Sequence, residues 1–233
     1  MEAPDQITVV TSWSEEGCEL YGDRWMDTFT EYWPWPDPVQ LRIATEPAMM
    51  EDTEVRAFRA READEKTLSG DYRWGALKWS WKVFALTMPP MPTSGWMVWI
   101  DGDVEFTKTP TQEFFAAVCP DDADVSFLAR PWAYASETGF VAYNMSSPTT
   151  LALLGMMRQE YLSGIFRELD NWGDASVFDA CRATLAPALR DNNLAAGCDS
   201  SDGLHVWPLT VLGEFMEHRK GPKRKKEAYG GAV

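Results

Sequence analysis

Two stretches of the sequence carry side chains able to hold a metal ion and a phosphate. The first is Trp99-Ile100-Asp101-Gly102-Asp103-Val104-Glu105, where an apolar run delivers two carboxylates in quick succession. Carboxylates two residues apart on an extended backbone point the same way. A hard divalent cation takes such oxygens as ligands and also bridges phosphate oxygens. Gly102 between them leaves the backbone open to close approach. The second stretch is His218-Arg219-Lys220-Gly221-Pro222-Lys223-Arg224, an H-x-x-G-x-x-[KR] pattern. Imidazole is a frequent ligand of manganese-like ions, Gly221 allows close approach to a phosphate, and Lys223 or Arg224 can neutralise it. Together the stretches supply three metal ligands, Asp101, Asp103 and His218, and a basic clamp. Read blandly, the first is a solvated acidic turn, and the second is a helix end followed by a solvated tail.

The flanking elements must place these groups. Ile7–Val10 is a β-branched run ending at Thr11-Ser12-Trp13 and reads as a buried first strand. Apolar residues recur at helical spacing over 19–33, and Pro34, Pro36 and Pro38 then break the pattern. A second strand is expected over Val39–Thr45 and an exposed, charged helix over 54–66. Trp74, Leu77, Trp81 and Phe84 mark an amphipathic helix. Trp96–Ile100 is too short for a helix and reads as a central strand that ends at Asp101. A helix near 110–118, strands at Val125–Leu128 and Thr138–Met145, and helices over 149–167 and 174–188 follow. Strands and helices alternate, so the class is α/β with a mostly parallel sheet. In such sheets ligands bind at the carboxyl ends of the strands, where Asp101 falls.

With 233 residues, 45% of them hydrophobic, the chain can bury a sizeable core and is not disordered. The densest apolar run, Leu151–Met157, falls far short of the ~20 residues that span a bilayer. Neither a basic n-region nor a long apolar h-region opens the chain, so no signal peptide and a cytoplasmic location are expected. The net charge is −15, unevenly spread. Six basic residues lie within the eight positions 219–226, whereas residues 1–217 hold 15 basic and 35 acidic side chains. Most of the surface therefore repels nucleic acid. Cys18, Cys119, Cys181 and Cys198 form no C-x-x-C pair and are expected as free, buried thiols. His205 and His218 are the only histidines.

The pairing of a D-x-D near the middle of the sequence with a C-terminal H-x-x-G-x-x-[KR] resembles the GT-A glycosyltransferases, most closely the retaining family that includes glycogenin and galactinol synthase. Further landmarks agree in order. Thr138–Asn144 is similar to that family's N-[SA]-G strand, Gly173–Asp179 to its D-Q-D-x-L-N segment with Asp174 on the first acid, and Tyr72–Leu86 to the helix before the D-x-D. The resemblance implies a single GT-A, Rossmann-like catalytic domain over 1–218. Residues 219–233 would then be a basic segment, partly a donor-binding loop and partly a flexible tail.

The resemblance also implies Mn²⁺ or Mg²⁺ on Asp101, Asp103 and His218 and a nucleotide-diphosphate sugar as donor, UDP-linked by family likeness. Thr11 and Ser12 would contact the nucleoside. Lys78 and Lys82, one turn apart, would face the phosphates together or else form an exposed helix face. Gly221, Lys223 and Arg224 would close over the diphosphate. Glu137 and Asp174 are the free carboxylates expected to reach the sugar or the acceptor hydroxyl. One would be the general base of an inverting enzyme, whereas front-side retaining transfer needs none. The acceptor is a glycan or another hydroxyl compound; a modified DNA base fits poorly with the net charge. Trp33, Trp35, Trp132 and Tyr134 either line an acceptor groove or belong to the core and loop packing.

Two other functions fit some of these residues. A haloacid-dehalogenase-type phosphatase would use Asp101 as nucleophile, but its D-x-D usually follows the first strand, and His218 would then have no role. A non-catalytic acidic binding protein would keep the fold without turnover.

Overall fold

The computed structural model describes residues 6–34, 38–63, 71–130, 133–198 and 205–219. Six strands form the main sheet: β1 (Ile7–Thr11), β2 (Val39–Ile43), β3 (Trp96–Ile100), β5 (Val125–Leu128), β6 (Glu137–Asn144) and β7 (Asp191–Asn193), in the order β2-β1-β3-β6-β5-β7. β6 runs against its neighbours β3 and β5, and the other pairings are parallel. Every residue of β1 and β3 is buried, which is why both read as continuous apolar or β-branched runs rather than alternating ones. A separate two-stranded sheet joins β4 (Val104–Phe106) to β8 (Met216–His218), with Val104 opposite His218.

The helices are α1 (Glu15–Gly17), α2 (Asp23–Tyr32), α3 (Glu46–Met49), α4 (Thr53–Glu62), α5 (Ala76–Thr87), α6 (Gln112–Val118), α7 (Pro148–Ser163) and α8 (Asp174–Leu185). The period-2 alternation of β3 sorts them into two cores. Met97 and Trp99 face a core with residues of α4, α5, α7 and α8, whereas Trp96, Val98 and Ile100 face one with residues of α2, α6, β4 and β8. In the second core Phe106 stands edge-on to Trp25, Phe29 and Trp33. α7 shows how local chemistry sets the boundaries. Ser147 caps its first turn by accepting from Thr150 N, Pro148 occupies the first turn, and Gly164 ends it at φ 86°. No helix among the described residues is long and apolar enough to cross a membrane.

The alternation of strands and helices predicted this α/β class, and β5 falls where its apolar run placed it. The structure corrects several details. The stretch expected as one helix over 19–33 begins earlier and passes through a π-helical turn, Cys18–Gly22, before α2. α4 is not simply exposed: Val55, Phe58 and Glu62 are buried, and Glu62 is held by Arg61 and Arg167. The four cysteines are free, but only Cys119 and Cys181 are buried; Cys18 is exposed and Cys198 half-buried. Trp33 belongs to the core, which settles it against a groove role, while Tyr134 is 67% exposed. Trp35 and Trp132 lie outside the described residues.

Candidate active site

β3 delivers Asp101 to the carboxyl edge of the sheet, where its backbone N–H donates to Gly139 O on β6 at 2.8 Å. The backbone then turns rather than extending, and Val104 N closes the turn on Asp101 O at 3.2 Å. The two carboxylates therefore converge through a turn, not through the extended-strand rule. β8 enters beside this turn because it pairs with β4, and Arg219 N donates to Asp103 O at 3.0 Å. His218, 115 residues away in the sequence, so lies with Nε2 3.1 Å from Asp103 Oδ1 and 3.8 Å from Asp101 Oδ2.

The other oxygen of Asp101 is already engaged. Oδ1 accepts from Trp99 Nε1 at 2.6 Å and pairs with Lys82 Nζ at 3.1 Å. Lys82 reaches from α5 to Asp174 Oδ2 at 2.7 Å and donates to the Thr138 carbonyl at 2.9 Å. Thr138 Oγ1 donates to the same Asp174 oxygen at 2.6 Å. Burial opposes charge on Lys82, but Asp101 and Asp174 outweigh it and hold the ammonium above its ordinary pKa. Burial also opposes charge on His218; Asp103, Glu137 and Asp101 outweigh it and raise the imidazole above its usual value.

Above the turn sit two aromatic rings. A Cβ on Gly102 would come within 3.0 Å of Tyr21 Cε2, 3.1 Å of Trp13 Cε3 and 3.4 Å of the Ser12 carbonyl. The glycine is therefore needed for packing against the β1–α2 connection. The Tyr21 phenol is pushed up to about 12, first by burial and then by Asp103 and Asp101.

The structure thus brings Asp101, Asp103, His218, Lys82, Asp174 and Glu137 into one cluster. It separates Lys78 from them: that residue is exposed and its ammonium lies over the Trp79 ring at 4.8 Å, while Lys82 points inward. Glu137 and Asp174 are not free carboxylates. Glu137 is paired with Arg130 at 3.3 Å and His205 at 3.4 Å, and Asp174 with Lys82. Thr11 is fully buried at the end of β1, and Ser12 is half-buried next to Gly102. Gly221, Lys223 and Arg224 lie outside the described residues. Sequence reasoning missed Trp13, Tyr21, Trp99 and Arg130, and it named His205 without giving it a role. Only Trp99 carried a signal, since it stands two residues before Asp101 on a strand and so shares its face.

The donor set fits a divalent cation. Asp101, Asp103 and His218 offer two carboxylate oxygens and an imidazole nitrogen, all within 4.8 Å of one another. Lys82 and Trp99 occupy Oδ1 of Asp101, leaving Oδ2 on the side of His218. Oxygen donors with one imidazole suit Mn²⁺ or Mg²⁺.

Comparison with solved structures gives the fold. A glycosyltransferase involved in the glycosylation of the major capsid of PBCV-1 superimposes with a TM-score of 0.55, covering 97% of this chain and 98% of that one at 13% identity. The glycosyltransferase GlyE of Streptococcus pneumoniae TIGR4 gives a TM-score of 0.53, covering 94% of this chain and 55% of that one at 8% identity. The chain has a GT-A glycosyltransferase fold. Neither a family model nor a curated protein sequence matches it.

Proposed function

We propose that the protein is a glycosyltransferase that moves a sugar from a nucleotide-diphosphate sugar to a hydroxyl acceptor, with Asp101, Asp103 and His218 holding a divalent cation. One observation carries this reading. β4–β8 pairing brings a histidine from the far end of the sequence onto the D-x-D, at the strand edge where α/β sheets bind ligands. A chance acidic turn has no reason to recruit a buried imidazole. The cation's chemistry would be that of a Lewis acid stabilising the leaving diphosphate.

The protein's own residues divide the remaining work. Lys82 pairs with the half-buried Asp101 and the buried Asp174 together and so offers one counter-charge to both carboxylates. Both bonds on Asp174 from Lys82 and Thr138 fall on Oδ2, which leaves Oδ1 for a sugar or acceptor hydroxyl. Trp13 and Tyr21 cover the turn and exclude water from one side of it. Lys220, Lys223 and Arg224 follow directly after Arg219 and would offset the donor's charge in an otherwise acidic molecule. By family likeness the donor is UDP-linked. The phosphatase reading gains nothing here: the D-x-D follows the third strand in sequence order, and His218 is placed on it.

The test is hydrolysis or transfer of nucleotide sugars with Mn²⁺, read as released nucleotide across UDP, GDP, ADP and CMP donors. Release should require metal and disappear in Asp103→Ala with the fold intact. Full turnover after EDTA treatment would rule out the metal, and binding of none of the four nucleotides would rule out the transferase.

A further inference from the structure

Both oxygens of Glu137 are committed inside the protein. Oε1 accepts the Gly139 backbone N–H at 3.1 Å and lies 4.0 Å from His218 Nδ1. Oε2 lies 3.3 Å from Arg130 Nη1 and 3.4 Å from His205 Nε2. Arg130 is itself fixed, donating to the carbonyls of Ala135 and Ser136 at 3.0 and 2.9 Å. With the residue 2% exposed, this carboxylate is not placed to swing out to a substrate hydroxyl.

The other half of the observation is on His218. Its Nδ1 is buried and has no hydrogen-bond partner among the described residues. Leaving a buried polar atom unmatched costs roughly 1–3 kcal/mol, so a partner is expected in the working state. A neutral imidazole that gives its Nε2 lone pair to a cation carries its proton on Nδ1, and ligating histidines pass that hydrogen bond to a carboxylate or carbonyl. Glu137 Oε1 is the carboxylate oxygen facing it.

We propose that Glu137 is a positioning residue: it accepts the Nδ1–H of His218 and so fixes the tautomer and the ring orientation that present Nε2 to the cation beside Asp101 and Asp103. The inference rests on the metal reading above. A separation of 4.0 Å is too long for a hydrogen bond, and the space needed to close it is kept open by Gly139. A Cβ there would lie 3.0 Å from Nδ1 and 3.2 Å from Oε1, crowding both groups from one side. A small turn of the ring over the bare glycine closes the gap. Glu137, His205 and His218 also lie close enough to ligate a cation themselves. The Arg130 guanidinium already supplies the positive charge against Oε2, which favours orientation over ligation.

The experiment titrates Mn²⁺ into donor-free wild type, Glu137→Gln and Glu137→Ala by calorimetry, with circular dichroism to confirm folding and nucleotide release as a second readout. Glu137→Ala should bind Mn²⁺ about 10- to 100-fold more weakly. Glu137→Gln keeps an acceptor oxygen without the charge and should fall in between; it decides the matter if the alanine variant does not fold. Variants that bind Mn²⁺ like wild type overturn the proposal. If such variants also lose turnover, Glu137 contacts substrate instead. Wild type that binds no Mn²⁺ removes the metal reading itself, an outcome visible without any variant.

Discussion

Substituting Gly139→Ala gives a direct test of where His218 sits. The new Cβ would stand 2.6 Å from His218 Cε1 and 3.0 Å from Nδ1, and ordinary contact begins near 3.4 Å. The ring must retreat by about 0.8 Å, the difference between 3.4 and 2.6 Å. It has little room: the Trp207 and His205 rings lie 5.0 and 5.2 Å away centroid to centroid, and β8 is held by β4. Overpacking of this kind costs about 1–3 kcal/mol. In a protein of this size each kcal/mol lowers Tm by about 2–4 °C. The measurement is urea unfolding of the metal-free protein, so the result does not depend on the functional reading. The decisive comparison repeats Gly139→Ala in a His218→Ala background, where the clash is gone. There the substitution should cost at least about 1 kcal/mol less, an interaction energy expected of residues in contact. Equal costs in the two backgrounds would refute the placement of the imidazole over Gly139.

Further outcomes follow from the same geometry. Lys82→Met leaves Asp101 and Asp174 facing each other without a counter-charge and should cost about 3–5 kcal/mol in urea unfolding. A loss under about 0.5 kcal/mol would show that the ammonium is not what joins them. Phe106→Ala removes the ring shared by Trp25, Phe29 and Trp33 and should cost about 3–5 kcal/mol by the same measurement; an unchanged unfolding midpoint would contradict that packing. Asp124 is also buried; burial raises its pKa, but hydrogen bonds from Arg190 and Ser147 and the Arg190 charge bring it below its ordinary 3.8. A group depressed in the folded state contributes stability above the unfolded pKa and loses it as pH falls through the folded one. Stability should therefore decline from about pH 4 downward, and less steeply in Asp124→Asn. Identical pH slopes for the two proteins would exclude Asp124 as a source.

The α/β class, the two central strands and the D-x-D at the end of the second were legible in the sequence itself. Ile7–Thr11 and Trp96–Ile100 are buried on both faces, so their sequences are unbroken apolar or β-branched runs that only a strand of that length fits. The start of α7 fell within a residue of the expected one, but the helix expected over 149–167 runs past Gly164, where a left-handed glycine ends it. The site was legible only as two motifs far apart. β4 and β8 are three residues each, too short to show a period, and exist because each completes the other. Nothing local says that Val104 stands opposite His218, since strand register between distant segments is set by packing around Trp25, Phe106 and Trp207. The partners of Lys82 and Glu137 were invisible for the same reason. On a helix face Lys78 and Lys82 are equivalent by spacing, but the sheet edge beneath α5 offers carboxylates only to Lys82. Glu137 and Asp174 look like free acids in the sequence; in the fold they are buried, and burial forces each to take a cationic partner.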